Sequence, residues 1–264
     1  MKNKGGEDIG RKPVRCSDDN MFFEFRFYEC TSGRLAEEVA RMHEVAVAGE
    51  NDDTGASLFD QFGIPRPLGA WTAVAGARMP LFGYILAWES LDRRDVCFPN
   101  FWADPRWAAV RERTDAGSPM VEHIENWLMA PSAAWNRHSV RPLPPAHTLH
   151  EMRIHHCVAG RGPAVTEYLA EIELPQAEIL GATAIGVFDV LIGPDMPAIV
   201  SFLAWPDYET QQAGWRRIDV EPRVHERRRK WSAELGLDPI RTVEQTLLRP
   251  LDFARPLANF GIAS

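Results

Sequence analysis

The sequence contains no apolar run of the roughly 18 to 20 residues that a bilayer span requires, and nothing before Asn20 resembles the apolar core of a secretory signal. A membrane protein is not expected, and residues 1–20, mixing Lys, Gly, Asp and Arg, read as a mobile N-terminal tail. Cysteine is sparse. Cys16, Cys30, Cys97 and Cys157 form neither a C-x-x-C pair nor a dense framework, so they read as structural thiols in a reducing cytoplasm. Positive charge is also short: at a net charge of -8 the chain lacks the concentrated basic surface that counterion release demands, so no nucleic acid and no membrane surface is an expected partner. The one basic run, Arg227 to Lys230, reads as a solvated helix face. Absent too are a Gly-rich phosphate loop, a nucleophile elbow and an H-E-x-x-H helix, which removes Rossmann enzymes, α/β-hydrolases and zincins from consideration.

What the chain does have is an internal repeat. Glu24-Phe25-Arg26 returns as Glu151-Met152-Arg153, Cys30 as Cys157 and Gly33-Arg34 as Gly160-Arg161, all in one register. Gly69, Met79-Pro80, Ala87-Trp88 and Pro105-Arg106 return as Gly186, Met196-Pro197, Ala204-Trp205 and Pro222-Arg223. Glu125 and Pro131 return as Glu244 and Pro250. The extra residues of the first copy fall between Gly49 and Gly63, a polar stretch that reads as an inserted loop. Folded units are expected at 21–131 and 147–250, with a Pro-rich linker at 132–146 and a C-terminal tail at 251–264.

Within each copy the periodicity predicts the order strand, helix, strand, strand, helix, strand. Phe23, Phe25 and Phe27 alternate with Glu24, Arg26 and Tyr28, the period of a half-buried strand. Leu35, Val39, Met42 and Ala46 follow helical spacing, and Asp104-Pro105 is a cap followed by a first-turn proline. The fold class expected is α+β: two ferredoxin-like βαββαβ repeats whose open sheet faces meet in one intrachain barrel.

The strand Phe22 to Tyr28 with its turn Gly33-Arg34-Leu35, the segments Ala87 to Leu91 and Asp104 to Trp107, and the ending Glu244 to Pro250 together resemble the NIPSNAP family. That resemblance spans about residues 21 to 253 and implies a dimeric α/β-barrel fold. The wider superfamily includes cofactor-free monooxygenases, haem-degrading enzymes, lactone isomerases and binding proteins, so the resemblance names no reaction.

Chemistry is expected inside the barrel. If the phenylalanines face the helices, Glu24, Arg26 and Tyr28 of the first copy and Glu151, Arg153 and His155 of the second point between the sheets as catalytic candidates. The recurrence of Glu and Arg is better explained by a shared ion pair that sets barrel register, since an unpaired buried charge costs several kcal/mol. Trp71, Trp127, Trp88, Trp205, Glu125, Glu244 and Asp189 are candidate substrate-binding residues; Trp88 and Trp205, which recur, read first as core, and Trp71 and Trp127, which do not, are the better pocket candidates. His155, His156 and Cys157 alternate in direction along a strand and cannot converge on one metal, and His225 reads as a surface residue, so no metal site is expected. The functional expectation is an acid/base enzyme acting on a small organic molecule by rearrangement, elimination, cyclisation or oxygenation, with no tightly held cofactor. A non-catalytic binding or assembly protein is the alternative, and a haem protein a second. Homo-oligomerisation, as a dimer, is expected from edge strands and from apolar surface at Phe98, Phe101 and Trp102.

Overall fold

A computed structural model describes residues 21–47, 55–136, 141–255 and 257. Residues 1–20, Cys16 among them, part of the inserted loop and most of the C-terminal tail lie outside the described residues. The first unit runs β1 (Phe22–Cys30), α1 (Leu35–Ala46), α2 (Leu58–Phe62), β2 (Ala70–Ala75), β3 (Leu81–Trp88), α3 (Leu91–Ala103), α4 (Pro105–Thr114) and β4 (Val121–Pro131). After the one-turn α5 (Ala133–Asn136), the second unit runs β5 (Leu149–Cys157), α6 (Gly162–Tyr168), a π-helical turn (Leu169–Glu173), α7 (Leu174–Ile179), β6 (Thr183–Ile192), β7 (Ala198–Trp205), α8 (Tyr208–Asp219), α9 (Pro222–Leu235) and β8 (Ile240–Pro250).

Each unit has two helices, not the expected one, between its third and fourth strands. Asp104 is the cause in the first unit. Its extended backbone ends α3, and its side chain accepts a hydrogen bond from the Arg106 amide at 2.8 Å and so caps α4, whose first residue is Pro105. The start of α3 is fixed by Ser90, whose hydroxyl accepts from the Arg93 amide, and that of α8 by Asp207, which accepts from Thr210. The inserted loop likewise contains structure: Ser57 and Asp60 form a reciprocal capping box for α2, which Gly63 ends at φ 67°.

The eight strands close into an antiparallel barrel in the order β1-β3-β2-β8-β5-β7-β6-β4. Each unit contributes four consecutive strands, and the seams between units are β2 with β8 and β4 with β6. Closure satisfies both sides of every strand, so the edge strands expected to drive oligomerisation do not exist among the described residues. Of the three aromatic residues expected at the surface, Phe98 and Phe101 are buried on the inner face of α3 and only Trp102 is half exposed, because α3 folds back onto the sheet.

The strand faces are reversed from expectation. Phe23, Phe25 and Phe27 fill the barrel with Trp71, Met152, Ile154, Phe188 and Phe202, while Tyr28, Tyr84 and Trp88 pack with the helices. Aromatic contacts cross the barrel between units: Phe25 to Phe202 with centroids 5.5 Å apart, Phe23 to Phe188 at 4.9 Å, and Trp71 stacked on Phe202 at 5.3 Å. The physical reason is partnership. The opposing strands offer the interior apolar groups and the imidazole of His150, which the Trp71 indole occupies, whereas the helices supply arginine, carboxylate and indole N–H partners for charged side chains. The barrel is therefore a packed core, and the cavities described below lie outside its middle.

Candidate active site

In the first unit, β1 presents Glu24, Arg26 and Tyr28 to the helix layer as one hydrogen-bonded chain. Arg26 Nη1 donates to Glu24 Oε1 at 2.6 Å, Arg26 Nε donates to the Tyr28 hydroxyl at 3.1 Å, and that hydroxyl lies 3.0 Å from the hydroxyl of Tyr84 on β3. Glu24, fully buried, also accepts from Trp88 Nε1 at 3.1 Å and from both Nε and Nη2 of Arg94 on α3. One carboxylate thus sits between two guanidinium groups, and the cluster is fully paired on its acidic side. Burial alone would loosen the Arg26 proton, but Tyr28, Tyr84 and Glu24 outweigh it and raise its pKa, so Arg26 is a permanent cation. Burial, reinforced by Tyr28, likewise pushes the Tyr84 phenol well up and keeps it protonated.

This chain forms the floor of a cavity of about 520 Å³ between the sheet and α1, α3 and α4. Its walls are apolar and aromatic: Met42, Val45, Phe59, Phe98, Phe101, Trp102 and Trp107 all reach it. Arg26 stacks over Phe98, 4.8 Å from the ring centroid, and its Nη2 has no hydrogen-bond partner among the described residues. That nitrogen is not sealed among the buried orphan atoms either, so it faces the cavity. On the opposite wall α1 carries Glu38 and Arg41, an ion pair buried to 1% and 8% exposure. Arg41 also pairs with Asp115 at 2.9 Å. Burial pushes the Glu38 carboxyl up to about 7; Arg41 resists the rise and Asp115 adds to it.

The second unit builds the same frame with different chemistry. Glu151 accepts from Trp205 Nε1 at 2.7 Å and Trp215 Nε1 at 2.8 Å, and pairs with Arg153 at 3.3 Å. Arg153 lies flat on Trp215, 3.6 Å from the centroid. His155, where the first unit has Tyr28, is wholly buried with Nε2 3.0 Å from Glu173 Oε1. The contact is out of line for a hydrogen bond, since both ring nitrogens lack an aligned partner. Burial by itself would raise Glu173, but His155, Arg153 and Tyr168 outweigh it and hold the carboxyl down at about 2. Neither Arg153 nor His155 lines the neighbouring cavity of about 750 Å³, whose walls are Cys157, Thr166, Asp189, Trp231 and residues around them. His155 is sealed, and among the described residues it borders neither of these cavities. The open polar site belongs to Tyr28.

The remaining expected residues disperse. Trp88 and Trp205 anchor the two Glu carboxylates. Trp71 is core, its indole N–H donating to His150 Nδ1 at 2.9 Å, and it borders a cavity of about 280 Å³ at one end of the barrel. Burial holds His150 at about 4, hence neutral and able to accept that bond. Trp127 donates to Glu125, which also pairs with Arg78 at 2.5 Å; Glu244 pairs with His156 at 2.9 Å. These are ion pairs at the barrel ends, not groups inside it. Asp189 borders the 750 Å³ cavity, and burial raises its pKa against the hydrogen bond from Ser132. His155 and His156 do point to opposite faces, one to Glu173 and the other to Glu244. Sequence reasoning missed Tyr84, Arg94, Glu38, Arg41, Glu173 and His150. Only the repeat could have flagged them, since Tyr84 stands opposite Ser201 and Arg94 opposite Gln211 in the register of the duplication.

Comparison with known proteins agrees with this architecture. The NIPSNAP family profile matches residues 23–134 and again residues 150–255. A NIPSNAP domain protein from Burkholderia xenovorans shares 23% identity over 42% of this chain and 95% of its own, with a TM-score of 0.33. A NIPSNAP family protein from Agrobacterium tumefaciens shares 20% over 43% of this chain and 94% of its own, with a TM-score of 0.34. An anthrone oxidase-like protein matches 89% of this chain and 92% of its own at 10% identity and a TM-score of 0.52, a likeness of fold over both units. No curated protein matches the chain. Among the described residues no helix is long and apolar enough to cross a membrane, and no group of three or more His, Cys, Asp or Glu is placed to hold a metal ion.

Proposed function

The chain belongs to the NIPSNAP family, and from that premise we propose that it is an enzyme of small-molecule metabolism whose site is the first-unit cavity, working through acid/base side chains without a tightly bound cofactor. One observation carries the reading. The duplicated units share a Glu-Arg-Trp frame, and among the described residues Arg26 of the first lines an aromatic-walled cavity with two phenol hydroxyls at its floor, whereas Arg153 of the second lines none of the three cavities described above. A frame that both units need for folding explains Glu24 and Glu151. It does not explain the cavity. A volume of about 520 Å³ suits a small organic molecule, with apolar walls for affinity and a few polar groups for orientation.

In this site Arg26 holds an anionic or enolic oxygen, and Tyr28, bonded to Arg26 and Tyr84, exchanges a proton with it. Tyr84 and Arg26 fix the Tyr28 hydroxyl in one orientation. A second reading, oxygenation of an electron-rich aromatic molecule, is favoured by the walls of Phe98, Trp102 and Trp107 and is the chemistry suggested by the name of the anthrone oxidase-like relative. The test is titration of a panel of aryl carboxylates, phenols and aryl ketones, followed by quenching of tryptophan fluorescence. Binding of oxygen anions is expected, weakened at least about tenfold in Arg26→Met, where Glu24 keeps Arg94 as partner. With a turned-over ligand, Tyr28→Phe should lose about 100- to 10,000-fold in rate. A protein that binds none of the panel, or binds it equally well as Arg26→Met, has its site elsewhere.

A further inference from the structure

We propose that Glu38 is the general base of this cavity and that the substrate is a carbonyl compound bearing an acidic α C–H, which the site converts to its enolate and reprotonates. The proposal rests on the reading of the first-unit cavity given above. Its first support is placement. Glu38 faces the cavity from α1 while Arg26 and Tyr28 face it from the sheet, so a molecule between them meets a carboxylate on one side and a cation with a phenol on the other. One oxygen of Glu38 is held by Arg41. The other makes no hydrogen bond among the described residues and is not one of the sealed orphan atoms, although Nε of neighbouring Arg41 is.

The second support is the duplication, which acts as an internal control. In the shared register Glu38 and Arg41 correspond to Val165 and Tyr168 of α6, both buried in an apolar cluster against their sheet. At these two positions the second unit packs its helix with Val165 and Tyr168, its own buried carboxylate, Glu173, coming from the π-helical turn that follows, and burying an ion pair generally stabilises no better than apolar residues of similar size. The duplicated fold thus accommodates an uncharged residue where the first unit has Glu38. The other acidic groups at the cavity are differently placed: Asp115 is held by Arg41 and by the Met120 amide, and Glu122 is exposed at the rim.

The chemistry balances without any further reactant. Glu38 takes the proton from the α carbon, the C–H electron pair becomes the C=C bond, and the carbonyl π pair moves to oxygen as an enolate. Arg26 Nη2 and the Tyr28 hydroxyl receive that oxygen. Return of the proton to the same or a vinylogous carbon gives exchange or isomerisation. A base whose pKa lies near the working pH is the effective one for such a transfer, and the burial of Glu38 acts in that direction.

The experiment measures loss of the α proton by NMR in D₂O, using the full chain and two probes, phenylpyruvate and an aryl 1,3-diketone, with binding of each measured separately by fluorescence quenching. The wild type should accelerate exchange over buffer, and Glu38→Gln should lose about 100- to 10,000-fold of that acceleration while its Kd moves less than about threefold. The double variant Glu38→Val/Arg41→Tyr, which copies the second unit, should fold by circular dichroism and show no acceleration. It keeps the test open if the glutamine variant unfolds. Wild-type binding without exchange, or exchange that survives in both variants, overturns the role of Glu38 and leaves the cavity reading standing. Absence of any binding overturns that reading and this one with it.

Discussion

Glu173 and Glu38 are two buried carboxyls whose surroundings drive them in opposite directions. Glu173 is lowered to about 2 against an ordinary 4.5, with burial opposed and outweighed by His155 and Arg153. Its contribution to stability is present above pH 4.5 and is lost as the pH falls through about 2. Glu38, raised by burial to about 7, has the opposite sign: its contribution is full below pH 4.5 and lost as the pH rises through about 7, so it costs stability under neutral conditions. For Glu173→Gln, the fall in Tm relative to wild type should be largest above pH 5 and should shrink as both proteins are taken from pH 4.5 towards 2. A difference that stays constant with pH contradicts an ionic role for Glu173. His155→Phe should likewise lower Tm, because it strips Glu173 of a partner, and should leave ligand binding in the first unit unchanged.

At the scale of the element, α1 and α6 show how one inherited helix was turned to two uses. The π-helical turn Leu169–Glu173 is the device in the second unit. Its one extra residue per turn rotates the chain beyond it by about 100° relative to a regular helix and brings Glu173 onto the face that meets His155. Deleting Ala170, which restores regular winding, should turn Glu173 away, lower Tm and abolish the pH dependence just described; an unchanged pH profile contradicts this placement. None of this was legible beforehand, because a π turn carries no periodic signature and Leu169 to Ile172 fit helical spacing either way. The strands were legible. Phe23, Phe25 and Phe27 alternating with Glu24, Arg26 and Tyr28 define two faces, but alternation does not say which face meets the barrel. That depends on which side offers partners for charge, and those partners, Arg94 and Trp215, come from helices far along the chain. Glu38 and Arg41 were hidden differently: an i, i+3 acid and base on a helix look like an ordinary solvated pair. The helix pairs α3–α4 and α8–α9 were read as single helices because the one cap recognised, at Asp104, begins the second helix and not the first.

At the scale of the whole molecule, duplication within one chain closes a barrel from two units that no longer need to be identical. The aromatic interior, in which Phe25, Trp71, Phe188 and Phe202 meet across the seam, couples the units into one core. Freed from symmetry, the second unit buries His155 against Glu173 in its helix layer, and the first lines a cavity there with Arg26, Tyr28 and Glu38. The central claim is that function lies in the first unit's sheet–helix cavity. The most direct test is a crystal structure of the full chain with the tightest ligand of the binding panel. The expected result is ligand density between β1 and α1, with an oxygen within about 3 Å of Arg26 Nη2 and the Tyr28 hydroxyl; density inside the barrel, or beside His155 in the second unit with the first cavity empty, contradicts it.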